Sequence, residues 1–349
     1  MRAIRTLTAI AVALALCGRL PGEDRESAEP TPHVGEAALD PERIKAAVTK
    51  SIALLEHSGA EYRRHRECFS CHNQALPVTA LAEARRRGFT IDEDNFRAQL
   101  DHTSAHLERG REAYLKGIGQ GGKADTAGYA LWTLEEGGRG PDENTAAVTS
   151  FLLDWQKDNG HWKATSQRPP SEASAFTTTY LAIRALGVFG TDEQGERIAE
   201  RRSAVVEWLK TAEPKDTEDR VFRLRLLGYL GADESEVQAA TRELLEFQQD
   251  DGGWSQTAEL SSDAYATATV LVALNEYGGV EASDPAWRRG IAFVLNTQQD
   301  DGSWHVASRS KPFQTYFETG FPHGKDQFIS AAASSWATLG LLYALEAVK

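Results

Sequence analysis

The chain has 349 residues, 41% of them hydrophobic, which is enough to bury a large core and too apolar for a disordered protein. Its 38 basic and 51 acidic residues leave a formal charge of -13, which repels phosphate backbones and anionic lipid surfaces, so nucleic acid is excluded as a partner.

The first element is a secretory signal over residues 1–18. Arg2 and Arg5 form its positive end, and residues 7–16 (LTAIAVALAL) form an apolar run too short to span a bilayer. Cys17 follows in LALCG, which resembles a bacterial lipoprotein cleavage site. A lipid anchor at Cys17 and ordinary signal cleavage are both consistent with it. Either way the expected location is outside the cytoplasm, in the periplasm or cell envelope. Residues 19–39 are charged, contain proline and lack apolar periodicity, the pattern of a flexible linker. No later segment is apolar enough to cross a membrane, and the folded domain is expected over 40–349.

Beyond Asp40 apolar residues recur at intervals of three and four, with no alternating strand of useful length, so the fold class is all-α. Start and stop signals place twelve helices near 41–66, 75–88, 92–116, 125–137, 144–157, 172–187, 195–212, 217–230, 235–249, 263–277, 284–299 and 327–347. Between the first two lies CFSCHNQ (68–74), with the C-x-x-C-H pattern that attaches a c-type haem through Cys68 and Cys71 and supplies His72 as proximal ligand to the metal. Met1 is the only methionine and leaves with the signal, so a sixth ligand would be another histidine. A disulfide between Cys68 and Cys71 and a metal site are the competing uses of the motif. A haem would also bring a redox partner.

Three odd-numbered helices end alike, in WQKDNGHW (155–162), FQQDDGGW (247–254) and TQQDDGSW (297–304), with the Gln and Trp at the same separation each time. The even-numbered helices match as well, in TTTYLAIRAL, YATATVLVAL and WATLGLLYAL. Glycine can end each helix in the left-handed region, Trp can pack back over the last turn, and the Gln amide can tie loop carbonyls to the next helix pair. These repeats resemble the QW repeats of squalene-hopene cyclases and the related terpenoid cyclase and prenyltransferase families. Together with CFSCHNQ, they resemble exported bacterial squalene-cyclase-like proteins. The resemblance implies an (α/α)6 toroid with even helices inside, and a hydrophobic small molecule or lipid, isoprenoid by analogy, bound in its central cavity.

On that arrangement the starts of the inner helices gather on one face. The acid–base candidates there are Asp125, Glu172, Asp263, His323 and Asp326, although N-capping accounts equally for Asp125 and Asp263. Residues 305–327 form a connection too long for a helix pair and mix aromatic with basic residues, which marks a binding lid. Ligand contacts are expected from Trp304, Arg309, Tyr316, Phe321 and Lys325, with Tyr265 from an inner helix. The D-x-D-D acid of true hopene cyclases is absent. The zinc ligands of prenyltransferases are absent too, since no cysteine lies beyond Cys71. Three readings follow: an enzyme acting on an isoprenoid, a haem protein, and a non-catalytic binding module of the envelope.

Overall fold

Inner and outer helices differ first in which residues they can bury. In the computed structural model, which describes residues 39–156, 159–311 and 315–345, the outer helices are amphipathic. For example, α7 (Gly195–Leu209) buries only Val205 and Leu209, and α9 (Glu234–Glu246) only Ala240, Thr241 and Leu244. The inner helices are buried over most of their surface: α10 (Ala264–Glu276) is buried continuously from Ala264 to Leu274.

The other outer helices are α1 (Pro41–His65), α3 (Glu93–Leu115), α5 (Glu143–Trp155) and α11 (Pro285–Thr297). The other inner helices are α2 (Leu76–Arg86), α4 (Ala124–Glu136), α6 (Ala175–Phe189), α8 (Thr217–Leu230) and α12 (Gln327–Tyr343). Each inner helix packs on the next even-numbered one, and α12 packs back on α2, so the inner six close a ring. Among the described residues there are twelve α-helices and no strand, the α/α-toroid architecture. The described residues form one compact unit. The signal, Cys17 and most of the linker lie outside the described residues, as do residues 312–314 of the expected lid.

The repeated Gln and Trp hold the helix pairs together with one geometry. The indoles of Trp162, Trp254 and Trp304 are fully buried and donate to the carbonyls of Leu152, Leu244 and Val294, 2.9, 2.7 and 2.7 Å away. Their backbone N–H groups donate to Thr179, Thr267 and Ser334 on the partner inner helix. Gln248 donates to the Gly252 carbonyl of its own turn and to Ala286 of α11. Gln298 does the same with Gly302 and with Ala47 of α1, which joins the last pair to the first. Gly252 and Gly302 have φ of 85° and 91°, and a Cβ there would meet the backbone of Arg289 or Lys50 at 2.9 Å. Conformation and closeness both demand glycine.

First turns meet first turns and last turns meet last turns, so the inner helices run parallel. At the C-terminal end Arg184 of α6 pairs with Glu135 and Glu136 of α4, and Arg86 of α2 also reaches Glu136. Arg225 of α8 is only 1% exposed. It pairs with Glu276 at 2.8 Å and lies against the rings of Trp132, Tyr180, Phe222, Tyr277 and Trp336. These side chains fill that end of the ring.

Candidate functional site

The opposite, N-terminal end of the ring collects polar groups that three inner helices, the turn before α2 and one loop deliver to the same place. Cys71 and His72 sit on a π-helical turn, Cys71–Ala75, whose start is capped by the Ser70 side chain. Asp125 lies in the first turn of α4, Glu218 in the first turn of α8, and Tyr129 and Tyr265 on α4 and α10. Glu172 comes from the connection 163–174, where it forms an isolated bridge with Arg168.

The Cys71 thiol is buried and donates to Glu172 Oε1 at 2.9 Å, while its Sγ lies 3.0 Å from His72 Nδ1. The second oxygen of Glu172 pairs with Arg168, and His72 Nε2 lies 3.2 Å from Ser171 Oγ. Burial, aided by the Glu172 carboxylate, pushes the Cys71 thiol well up, so the free thiol keeps its proton. Burial also lowers His72 to about 4 and keeps the imidazole neutral.

Beside this trio are two buried carboxyls. Asp125 accepts from the Thr178 hydroxyl and from Thr165 N, and Glu218 Oε1 accepts from Thr177 at 2.9 Å and Tyr265 at 3.3 Å. Burial, with Glu172 nearby, pushes Asp125 up to about 7 against those hydrogen bonds. Burial, with Asp216 adding to it, pushes Glu218 up to about 8. Glu218 Oε2 has no hydrogen-bond partner among the described residues. Tyr129, which donates to the Ser171 carbonyl, lies in the field of Cys71, Glu218, Glu172 and Asp125 together.

Two segments roof this group. The connection 163–174 contributes Thr165, Arg168 and Ser171. The segments 305–311 and 315–326 contribute to it as well: Arg309 donates to Gln256 before α10, and Ser310 donates to the Pro169 carbonyl. Further on, Phe317 packs against Tyr62, His65, Arg66 and Phe328, and Phe328 meets His72 edge-on.

The expected residues separate into groups. Asp125 and Glu172 are at the mouth with Tyr265. Asp125 is not an N-cap, because the cap position of α4 is Lys123, which makes no side-chain cap bond. Asp263 is the N-cap of α10, with Oδ1 accepting from Ala266 N and Oδ2 from Gln256. His323 and Asp326 belong to the anchorage of the roof: His323 reaches Ser303 at 2.7 Å, and Asp326 accepts from His305 and from Ser308 N. Trp304, expected as a ligand contact, is instead a fully buried staple whose N–H groups are both used. Phe321 is buried with Leu55, Ala80 and Ala331. Tyr316 and Lys325 face solvent, and exposed Arg309 spans the roof. Glu218 was legible only as a polar helix start, and its burial had no sequence signal.

Cys68 and Cys71 are free thiols. Cys68 Sγ lies 3.3 Å from the Tyr62 hydroxyl while Cys71 turns inward, so seating a haem on both sulfurs requires Cys71 to leave Glu172.

Comparisons with known proteins agree with this architecture. Residues 215–349 match the squalene-hopene cyclase C-terminal domain family. A 91-residue stretch is 40% identical to labda-7,13-dienyl diphosphate synthase of Streptomyces clavuligerus, spanning 26% of this chain and 14% of the synthase. The type II terpene cyclase MstE from Scytonema, in complex with geranylgeranyl dihydroxybenzoate, superposes with a TM-score of 0.58 at 14% identity, over 87% of this chain and 99% of that one. The ent-copalyl diphosphate synthase of Streptomyces platensis gives a TM-score of 0.51 at 20% identity, over 78% of this chain and 50% of that one. At these identities the structural likeness establishes the fold. Among the described residues no helix is long and apolar enough to cross a membrane.

Proposed function

We propose that this terpenoid-cyclase-like chain binds a hydrophobic, isoprenoid-type ligand beneath the roof and transfers protons to and from an oxygen function of that ligand. Glu218 is the donor and Asp125 the second acid–base group. The observation that carries this reading is the Glu218 carboxyl, wholly buried, held neutral at pH 7 and with Oε2 unpartnered at the mouth of the ring. A neutral buried carboxyl is a competent general acid near its own pKa. The carboxylate left after transfer is met by donors already in place, Thr177 and Tyr265.

The same burial makes Glu218 a weak acid. Protonating an isolated alkene needs a stronger one, so an epoxide, alcohol or phosphate oxygen is the better-matched acceptor. Arg225 and its rings occupy the far end of the ring, so a ligand enters at the mouth, and because the mouth residues are buried its entry requires the roof to open. The export expected from residues 1–18 places this chemistry in the periplasm or envelope, with an envelope lipid as the source of ligand.

The test is incubation of purified protein with lipid extracts and oxygenated isoprenoids, followed by mass spectrometry of bound and free lipid. Turnover that is lost in Glu218→Gln supports the reading. Retention without turnover reduces it to a binding module, and absence of both rejects it. A c-type haem is the alternative use of CFSCHNQ, and a Soret band that disappears with Cys68→Ser and Cys71→Ser would establish it.

A further inference from the structure

The geometry points to a transition-metal site for Zn2+, or a similar borderline divalent ion, built from Cys71 Sγ, His72 Nδ1 and Glu172 Oε1. The ligand atoms of these three residues all lie within 4.8 Å of one another, with Sγ 2.9 Å from Oε1 and 3.0 Å from Nδ1. Zinc–sulfur bonds of about 2.3 Å and zinc–nitrogen or –oxygen bonds of about 2.0 Å give a tetrahedral edge of roughly 3.5 Å. An ion replacing the thiol proton therefore needs the two edges that meet at sulfur to lengthen by only about half an ångström. Three protein ligands leave a fourth position for water or a ligand oxygen.

The surroundings are those of a ligand set. Ser171 Oγ faces the other ring nitrogen of His72 and fixes which way the imidazole turns. Arg168 holds Glu172 by its second oxygen, which leaves Oε1 toward the sulfur. Charges balance: binding M2+ releases the Cys71 proton to solvent, and thiolate, carboxylate and neutral imidazole then make an uncharged centre, the form that a buried site tolerates. Because Glu172 and Ser171 belong to the roof and Cys71 and His72 to the ring, the ion would clasp one to the other. The inference is independent of the ligand chemistry proposed above.

The test uses full-length protein, purified without chelator, then stripped and titrated with Zn2+ or Co2+ alone. The expected result is one ion per chain, a thiolate-to-cobalt charge-transfer absorption, and a rise in melting temperature on loading. Cys71→Ser should abolish the absorption. Glu172→Gln should weaken binding by about 100-fold or more, and Ser171→Ala by about 10–100-fold. Cys68→Ser should keep both stoichiometry and absorption, and Glu172→Gln with Cys68→Ser suffices if Cys71→Ser does not fold. Substoichiometric binding, an absorption that follows Cys68 instead of Cys71, or a covalent haem mass on the two cysteines would each overturn the site.

Discussion

The two ends of the inner ring are made from the same six helices and carry opposite chemistry. At the N-terminal mouth are Asp125, Glu172 and Glu218, and at the C-terminal end Arg86, Arg184 and Arg225. Parallel helices account for the division, because six positive dipole ends converge on one side and six negative ends on the other. What differs is how charge is satisfied. Each arginine has a glutamate partner, and Arg225 is also caged by rings. At the mouth, Glu172 has Arg168, while Asp125 and Glu218 have hydroxyl and amide donors only. An end whose ions are paired is built for stability, whereas an end whose carboxyls are kept neutral by burial is built for proton transfer.

The largest effect should come from the paired end. Arg225→Ala leaves a cavity among five rings and removes the partner of Glu276, so unfolding measurements should show a loss of about 3–5 kcal/mol. A loss below about 1 kcal/mol would mean that the arginine is dispensable and the two ends are not energetically distinct.

Glu218→Gln should act in the other direction. Between the ordinary carboxyl value of 4.5 and about 8, the unfolded chain has released a proton that the folded chain keeps, so stability falls as pH rises through this window. The groups facing Glu218 are Asp216 at the N-cap of its helix, Asp219 on the same helix, Thr177 on α6, Tyr265 on α10 and Tyr129 on α4. Glutamine removes the titration, and the variant should gain stability relative to the parent from pH 5 to 8, by an amount on the order of 4 kcal/mol at the upper end. A parallel pH profile for the two proteins would place the Glu218 carboxyl in an ordinary, ionised state.

Trp254→Phe keeps an aromatic ring in the core but orphans the Leu244 carbonyl and leaves part of the indole volume empty, and should cost about 2–3 kcal/mol in thermal melts. Smallest of all is Arg309→Ala. Its exposed contact with Gln256 is worth less than about 0.5 kcal/mol to stability, but breaking it should speed ligand exchange under the roof in stopped-flow binding. Unchanged exchange would mean that the roof opens elsewhere.

Helix pairing was readable from the chain because its code is local. The turn after each odd helix carries Gln, Gly and Trp at fixed spacing, and the three copies fold to the same hydrogen bonds. Two starts were misjudged for a reason outside local propensity. Glu172 reads as the first residue of a helix, but its backbone bridges Arg168 in the roof, and α6 begins at Ala175. Likewise the turn before α2 is π-helical, which brings Cys71 and His72 within reach of 163–174.

The candidate site was legible as a set of polar helix starts, Asp125 and Glu172 among them, with Tyr265 as an aromatic contact from an inner helix. The sequence could not rank Glu218 above Glu172, nor separate Asp263, a cap, from Asp125, a buried acid. Arg225 in RVFRLRLLGYL looks like any charged residue on a helix face, until five aromatic residues, four of them from other helices, surround it.

By itself, then, the sequence determined twelve helices, their pairing and the staples, since each depends on residues within one turn or one repeat. The tertiary structure decided which carboxyls lose their water, which thiol meets which imidazole and carboxylate, and which end of the ring is filled. Those outcomes depend on desolvation summed over helices far apart in the chain, and burial exists only once the ring has closed.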